Sequence, residues 1–166
     1  AKVLSNSWGG GADPNNQALY DSIERAKKAD VLFVAAAGND GTDNDKKPMY
    51  PAAFDNDNII AVAATDSKDG RAFFSNYGLK TTDLGAPGHE IYSLAPGGKY
   101  ATHSGTSMAC PHVAGAAALL WSLHPDWKYT KVKEVLLNSV DKLAGLEGKT
   151  VTGGRLNVLK ALQSTD

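Results

Sequence analysis

Ser107 has the setting of a nucleophile. It stands in Gly105-Thr106-Ser107-Met108-Ala109-Cys110-Pro111-His112-Val113-Ala114-Gly115, and a run of Ala and Leu follows. Small residues permit a tight turn, and the Thr106 hydroxyl suits an N-cap, so Ser107 falls on the first helical residue. A hydroxyl there lies beside the positive end of the helix dipole, which favours negative charge developing next to it. Acyl transfer by a serine also needs a base for the hydroxyl proton and donors aimed at the oxyanion. Asn39, directly after Val34-Ala35-Ala36-Ala37-Gly38, offers a side-chain N–H that could join the Ser107 backbone N–H. Each residue also has an ordinary alternative: Ser and Thr cap helices widely, and Asn after Gly is a common turn residue.

Elements able to bring these two residues together are written around them. Residues 31–37, VLFVAAA, form an apolar run without alternation, the pattern of a strand buried on both faces of a parallel sheet. VLSNS near the start reads as another strand, broken by Trp8 and the glycines that follow. Between them, Asp13 and Pro14 open a helix over residues 14–29, with Leu19, Ile23 and Ala26 at helical spacing. A strand, helix and strand in that order make a βαβ unit, whose loops at the strand C-termini share one edge. The turns at Trp8-Gly9-Gly10 and Gly38-Asn39 therefore face the same way. A polar, acidic loop follows, whose Asp40, Asp43 and Asp45 do not fit an EF-hand, and then a buried strand over residues 59–64. Residues 66–100 read as short strands and turns. The Ser107 helix runs over 106–123 with Pro111 inside it, which lacks an N–H and whose ring crowds the Ser107 carbonyl. Thr130 caps a helix to residue 139, and a last helix covers 157–163.

Composition narrows the classes of function. The chain has 166 residues, 42% hydrophobic and 21% charged, with a formal net charge of -1. That is ordinary globular composition, without the basic footprint of a nucleic-acid binder. No apolar run is long enough to span a bilayer. One cysteine, Cys110, excludes an internal disulfide and a cysteine-based metal cage, and reads as a small buried filler.

The segment GTSMACPHVAGAAAL closely resembles the active-serine segment of the subtilisin-like serine proteases, and AAAGN matches their oxyanion segment. The resemblance implies a three-layer α/β/α fold with a mostly parallel sheet, and a serine endopeptidase with Ser107 as nucleophile and Asn39 in the oxyanion hole. By the same resemblance Ser7, Trp8, Gly9 and Gly10 pair with an extended polypeptide substrate. Ala36, Ala37 and Gly38 form the facing wall of the pocket for the residue before the scissile bond. Asp40 and Met49 are expected near that pocket, with Asp40 biasing it toward a basic residue. Resemblance to the family's weak cation site suggests Asp83 as a ligand for calcium or sodium, with carbonyls of the YPAAFDNDN loop. A propeptide and a secreted or extracytoplasmic location are further implications.

Subtilisin-like enzymes order their triad Asp, His, Ser. The Asp-Thr-Gly and His-Gly-Thr-His signatures are absent here, and His112 belongs to the serine segment itself. Residues 1–166 are accordingly expected to be the C-terminal part of one catalytic domain, inactive alone and completed by an N-terminal half carrying Asp and His. The alternative is a non-catalytic truncated relative that binds peptides or associates with another chain.

Overall fold

The computed structural model describes residues 1–11 and 16–164. The expected cap at Asp13 and Pro14 lies outside them. The chain begins with strand β1 (Val3–Asn6), the two-residue β2 (Gly10–Gly11), helix α1 (Gln17–Lys28) and β3 (Leu32–Ala36). Next come β4 (Met49–Tyr50), β5 (Ile59–Thr65), β6 (Leu84–Pro87), and the hairpin of β7 (Ile91–Ala95) and β8 (Lys99–His103). Helices α2 (Thr106–Leu123) and α3 (Tyr129–Asn138), strands β9 (Asp141–Lys142) and β10 (Gly154–Arg155), and helix α4 (Val158–Gln163) complete it.

One six-stranded sheet, in the order β1-β3-β5-β6-β10-β9, is parallel except for the last pair. The apolar runs of β3 and β5 are buried along their whole length, as two covered faces require. Successive side chains divide between those faces. Leu32, Val34, Ile60 and Val62 pack with Val113, Ala117 and Leu120 of α2 and with Val132 and Leu136 of α3. Phe33, Ala35, Ile59 and Ala61 pack instead with Ile23 of α1. The result is a mostly parallel α/β sheet with helices on either side, as expected from the sequence. At about 25 cal/mol per Å2 of apolar surface, this two-sided burial is the main force holding the sheet.

Two helix starts differ from the sequence expectation. Helix α2 spans the expected residues 106–123, but its N-cap is Gly105 and Thr106 already lies inside the first turn. The Thr106 hydroxyl is engaged elsewhere, accepting from the Gly38 N–H at 3.1 Å. Helix α3 is flanked by Lys128, not Thr130, and its Tyr129 N–H donates to the Asp30 carboxylate at 2.9 Å, from 99 residues away. A cap supplied across the fold leaves no local signature. Asn157 does cap α4, its side chain accepting from the Lys160 N–H.

Candidate active site

Ser107 sits at the start of α2, where the helix itself offers no acceptor for the first backbone N–H groups. Pro111, one turn on, has no N–H for the Ser107 carbonyl. The Ser7 hydroxyl donates to that carbonyl at 2.8 Å instead. In return the Ser107 hydroxyl donates to the Ser7 carbonyl at 3.2 Å. Proline in the helix thus ties the first turn of α2 to the segment after β1, and Ser7 is part of what seats Ser107.

Asn39 leaves the end of β3, the strand beside β1. Its Oδ1 accepts from the Thr106 N–H at 2.8 Å and from the Thr106 hydroxyl at 3.0 Å. Both donors fall on one oxygen, which fixes the amide orientation and leaves Nδ2 as the end available to a ligand. Thr106, read from the sequence as a cap, is the link between Asn39 and the α2 start.

A cavity of about 210 Å3 opens between the two turns, lined by Trp8, Gly9, Ala36, Gly38, Asn39, Asp40, Met49, Thr106 and Ser107. Both glycine-flanked turns contribute, as the βαβ order requires. Close approach explains Gly9, where a Cβ would come within 2.8 Å of the Tyr50 carbonyl oxygen. Met49 lies beside both Gly9 and Gly38 and lines the cavity. Of the remaining residues expected here, Gly10 pairs with Tyr50 in a small antiparallel ladder and stays exposed. Ala37 is fully buried, with its carbonyl accepting from the Asn44 amide at 2.8 Å, and is not among the lining residues. On the other side of Ser107 a second cavity, about 340 Å3, is bounded by the β7–β8 hairpin and by Met108, Pro111 and His112. The serine therefore lies between two hollows of one cleft.

No histidine among the described residues is hydrogen-bonded to Ser107. His112 Nδ1 bonds its own helix at the Met108 carbonyl, His89 packs against Phe73 and Phe74, and His124 stacks on Trp127. Cys110 is buried beside the Val34 carbonyl, and burial pushes its thiol up, away from the reactive thiolate.

Asp83 lies outside the cleft, immediately before β6. Its carboxylate accepts from the Ala61 N–H at 2.7 Å, and burial pushes its pKa up, against the opposing pull of Lys133. The Ala52–Asp57 loop does approach it, around a cavity of about 230 Å3. However, the Lys133 ammonium donates to the carbonyl oxygens of Asp57 at 3.0 Å and of Ile59 at 2.5 Å. Carbonyls of the kind a hard cation would take are thus engaged by an ammonium, a poor fit for a metal. Among the described residues no group of three or more His, Cys, Asp or Glu side chains is placed to hold a metal ion.

A strand-end asparagine and a helix-start serine thus share one glycine-walled cleft at the edge of a mostly parallel α/β sheet. The subtilase family model matches residues 1–155, and the chain belongs to that family. It is 42% identical over 163 residues to thermitase of Thermoactinomyces vulgaris, covering 98% of this chain and 54% of thermitase. It is 39% identical over 164 residues to subtilisin E of Bacillus subtilis, covering 97% of this chain and 41% of that protein. Among solved structures, the prenylagaramide maturation protease PagA superposes with a TM-score of 0.86 at 31% identity, covering 98% of this chain and 61% of that one. A structure of the subtilase cytotoxin SubAB assembly gives 0.84 at 30% identity, with 98% and 58% covered. The chain thus spans about half the length of thermitase and less of subtilisin E.

Proposed function

We propose that residues 1–166 form the serine- and oxyanion-bearing part of a subtilisin-like serine endopeptidase. Its catalytic Asp and His come from a segment outside this sequence. The observation that carries the proposal is the joint anchoring of Ser107 and Asn39 on one cleft, through Ser7 and Thr106. In the reaction the Ser107 hydroxyl oxygen attacks the carbonyl carbon of the scissile bond as its proton passes to the supplied histidine. Asn39 Nδ2 and the Ser107 N–H receive the oxyanion. The tetrahedral intermediate expels the amine, protonated by that histidine, and water then releases the acyl group from Ser107.

Two surfaces support a partner segment. Strand β1 is at the end of the sheet, and Leu4 on it is exposed. Helix α2 is apolar nearly all round, yet it leaves Leu119 and Leu123 exposed. An open strand edge beside apolar helix surface is a place for further sheet and packing. The complete polypeptide should hydrolyse peptides. Tight peptide binding with no turnover would instead assign the non-catalytic alternative. No helix among the described residues is long and apolar enough to cross a membrane. Membership of the family supports secretion and a propeptide.

Asp40 is exposed at the rim of the cavity that Met49 also lines, and it supports a preference for a basic residue before the scissile bond. For an exposed ion pair, Asp40→Asn is expected to lower kcat/KM about fivefold for a lysine substrate and hardly at all for phenylalanine. Equal effects on the two substrates would remove Asp40 from the specificity account.

For the cation, the proposal is that Lys133 supplies the positive charge near Asp83 in place of calcium or sodium. In the complete polypeptide, Lys133→Met should lower Tm by about 2–4 °C. Added sodium or calcium should recover more of the variant's loss than they add to the parent. An equal stabilisation of both proteins by added cation in thermal melts would argue for a metal at this place in the parent as well.

A further inference from the structure

We propose that Asn76 is a positioning residue for the oxyanion-binding loop, an inference that rests on the role given to Asn39 above. Asn39 and Asp40 are exposed at a turn, and an exposed turn does not by itself hold an amide to the tolerance that oxyanion binding demands. The turn is instead clamped from beneath. Asn76 comes from the Phe73-Phe74-Ser75-Asn76-Tyr77-Gly78 segment before β6 and is completely buried. Its Oδ1 accepts from the Asp40 N–H at 2.9 Å, the Thr42 N–H at 3.1 Å and the Thr42 hydroxyl at 3.4 Å. Its backbone N–H donates to the Gly38 carbonyl at 2.9 Å. The residues on both sides of Asn39 are therefore held by this one asparagine, while Thr106 holds the Asn39 side chain itself.

The clamp has its own support. Asn76 Nδ2 donates to Asn44 Oδ1 at 3.0 Å, and the buried Asn44 amide in turn donates to the Ala37 carbonyl at the end of β3. Buried amides connected in this way exclude water and leave little room for an alternative arrangement. Gly38 makes the contact possible. It has φ of +108°, and a Cβ there would fall 2.5 Å from Asn76 Nδ2. Without Asn76, the Asp40 and Thr42 N–H groups lose their acceptor and the turn is free to relax away from the cleft.

A double-mutant cycle in the complete polypeptide tests the inference, with rates normalised to the folded fraction from thermal melts. Asn76→Ala is expected to lower kcat about tenfold or more with KM nearly unchanged, because the substrate walls remain while the oxyanion donor loses its register. In the Asn39→Ala background the same substitution should change kcat by less than about twofold, since the group it positions is already gone. Asn76→Asp keeps an acceptor oxygen for the loop N–H groups and, protonated at this buried position, an O–H donor for Asn44 Oδ1, and should recover most of the lost kcat. That variant also carries the test if the alanine protein does not fold. Equal losses in both backgrounds, a loss confined to KM, or no rescue by aspartate would overturn the proposal. Absence of turnover in the folded parent would instead remove the endopeptidase assignment on which it rests.

Discussion

Ser107→Ala in the complete polypeptide is expected to abolish peptide hydrolysis, with kcat falling about 10^6-fold, the scale measured for the equivalent serine of subtilisin. The expectation follows from what the hydroxyl does in this fold. Among the described residues no side chain is hydrogen-bonded to Ser107 Oγ, whose hydroxyl donates a hydrogen bond to the Ser7 carbonyl. A histidine docking beside α2 would compete with that carbonyl for the proton, and alanine leaves nothing to transfer. KM should change little, because the cleft walls are formed by Gly9, Ala36, Gly38 and Met49 rather than by the serine hydroxyl. The Ser107 carbonyl keeps its bond from Ser7, so stability should be nearly unaffected. A variant that retained more than a small fraction of the parent kcat would place the nucleophile elsewhere.

Asn39→Ala should lower kcat by about 10^2- to 10^3-fold, the range found for the corresponding asparagine of subtilisin, again with little change in KM. Its Nδ2 faces the cleft because both Thr106 donors have taken Oδ1. The ground-state carbonyl gains little from it; the oxyanion gains a short, desolvated hydrogen bond, so the loss appears in kcat. Thr106→Val removes the hydroxyl donor and leaves the Thr106 N–H, and should therefore cost less than removing Asn39. Steady-state kinetics on a short peptide series separate these outcomes. A fall in affinity with kcat preserved would make Asn39 a substrate-binding residue only.

The elements that place Ser107 and Asn39 were legible in the sequence because they are locally encoded. The serine stands at the head of a long Ala- and Leu-rich helix, and the asparagine at the end of an unbroken apolar strand, both expressed in neighbouring residues. The buried strands β3 and β5 were legible for the same reason. What holds the site in place was not. Thr106 has the composition of a cap and acts as a tertiary bridge to Gly38 and Asn39. Asp30 caps a helix 99 residues later, and Asn76 supports a turn 36 residues earlier at Asp40. Such partners are chosen by the fold, and a lone Asn in an aromatic, Gly-terminated segment carries no mark of that choice. The available signal was a polar Ser-Asn pair enclosed by aromatic residues in FFSNY. Lys133 gave still less, since a lysine on a helix reads as solvent-facing until its ammonium is found on the carbonyls of Asp57 and Ile59.

The central claim is that Ser107 is an activated nucleophile once the upstream partner is in place. Treating the complete polypeptide with a fluorophosphonate and mapping the adduct by peptide mass spectrometry tests it most directly. The adduct is expected on Ser107, with loss of turnover in step with labelling and no adduct in the Ser107→Ala protein. A complete, folded and proteolytically active polypeptide that remained unlabelled at Ser107, or carried its adduct on another residue, would contradict the account.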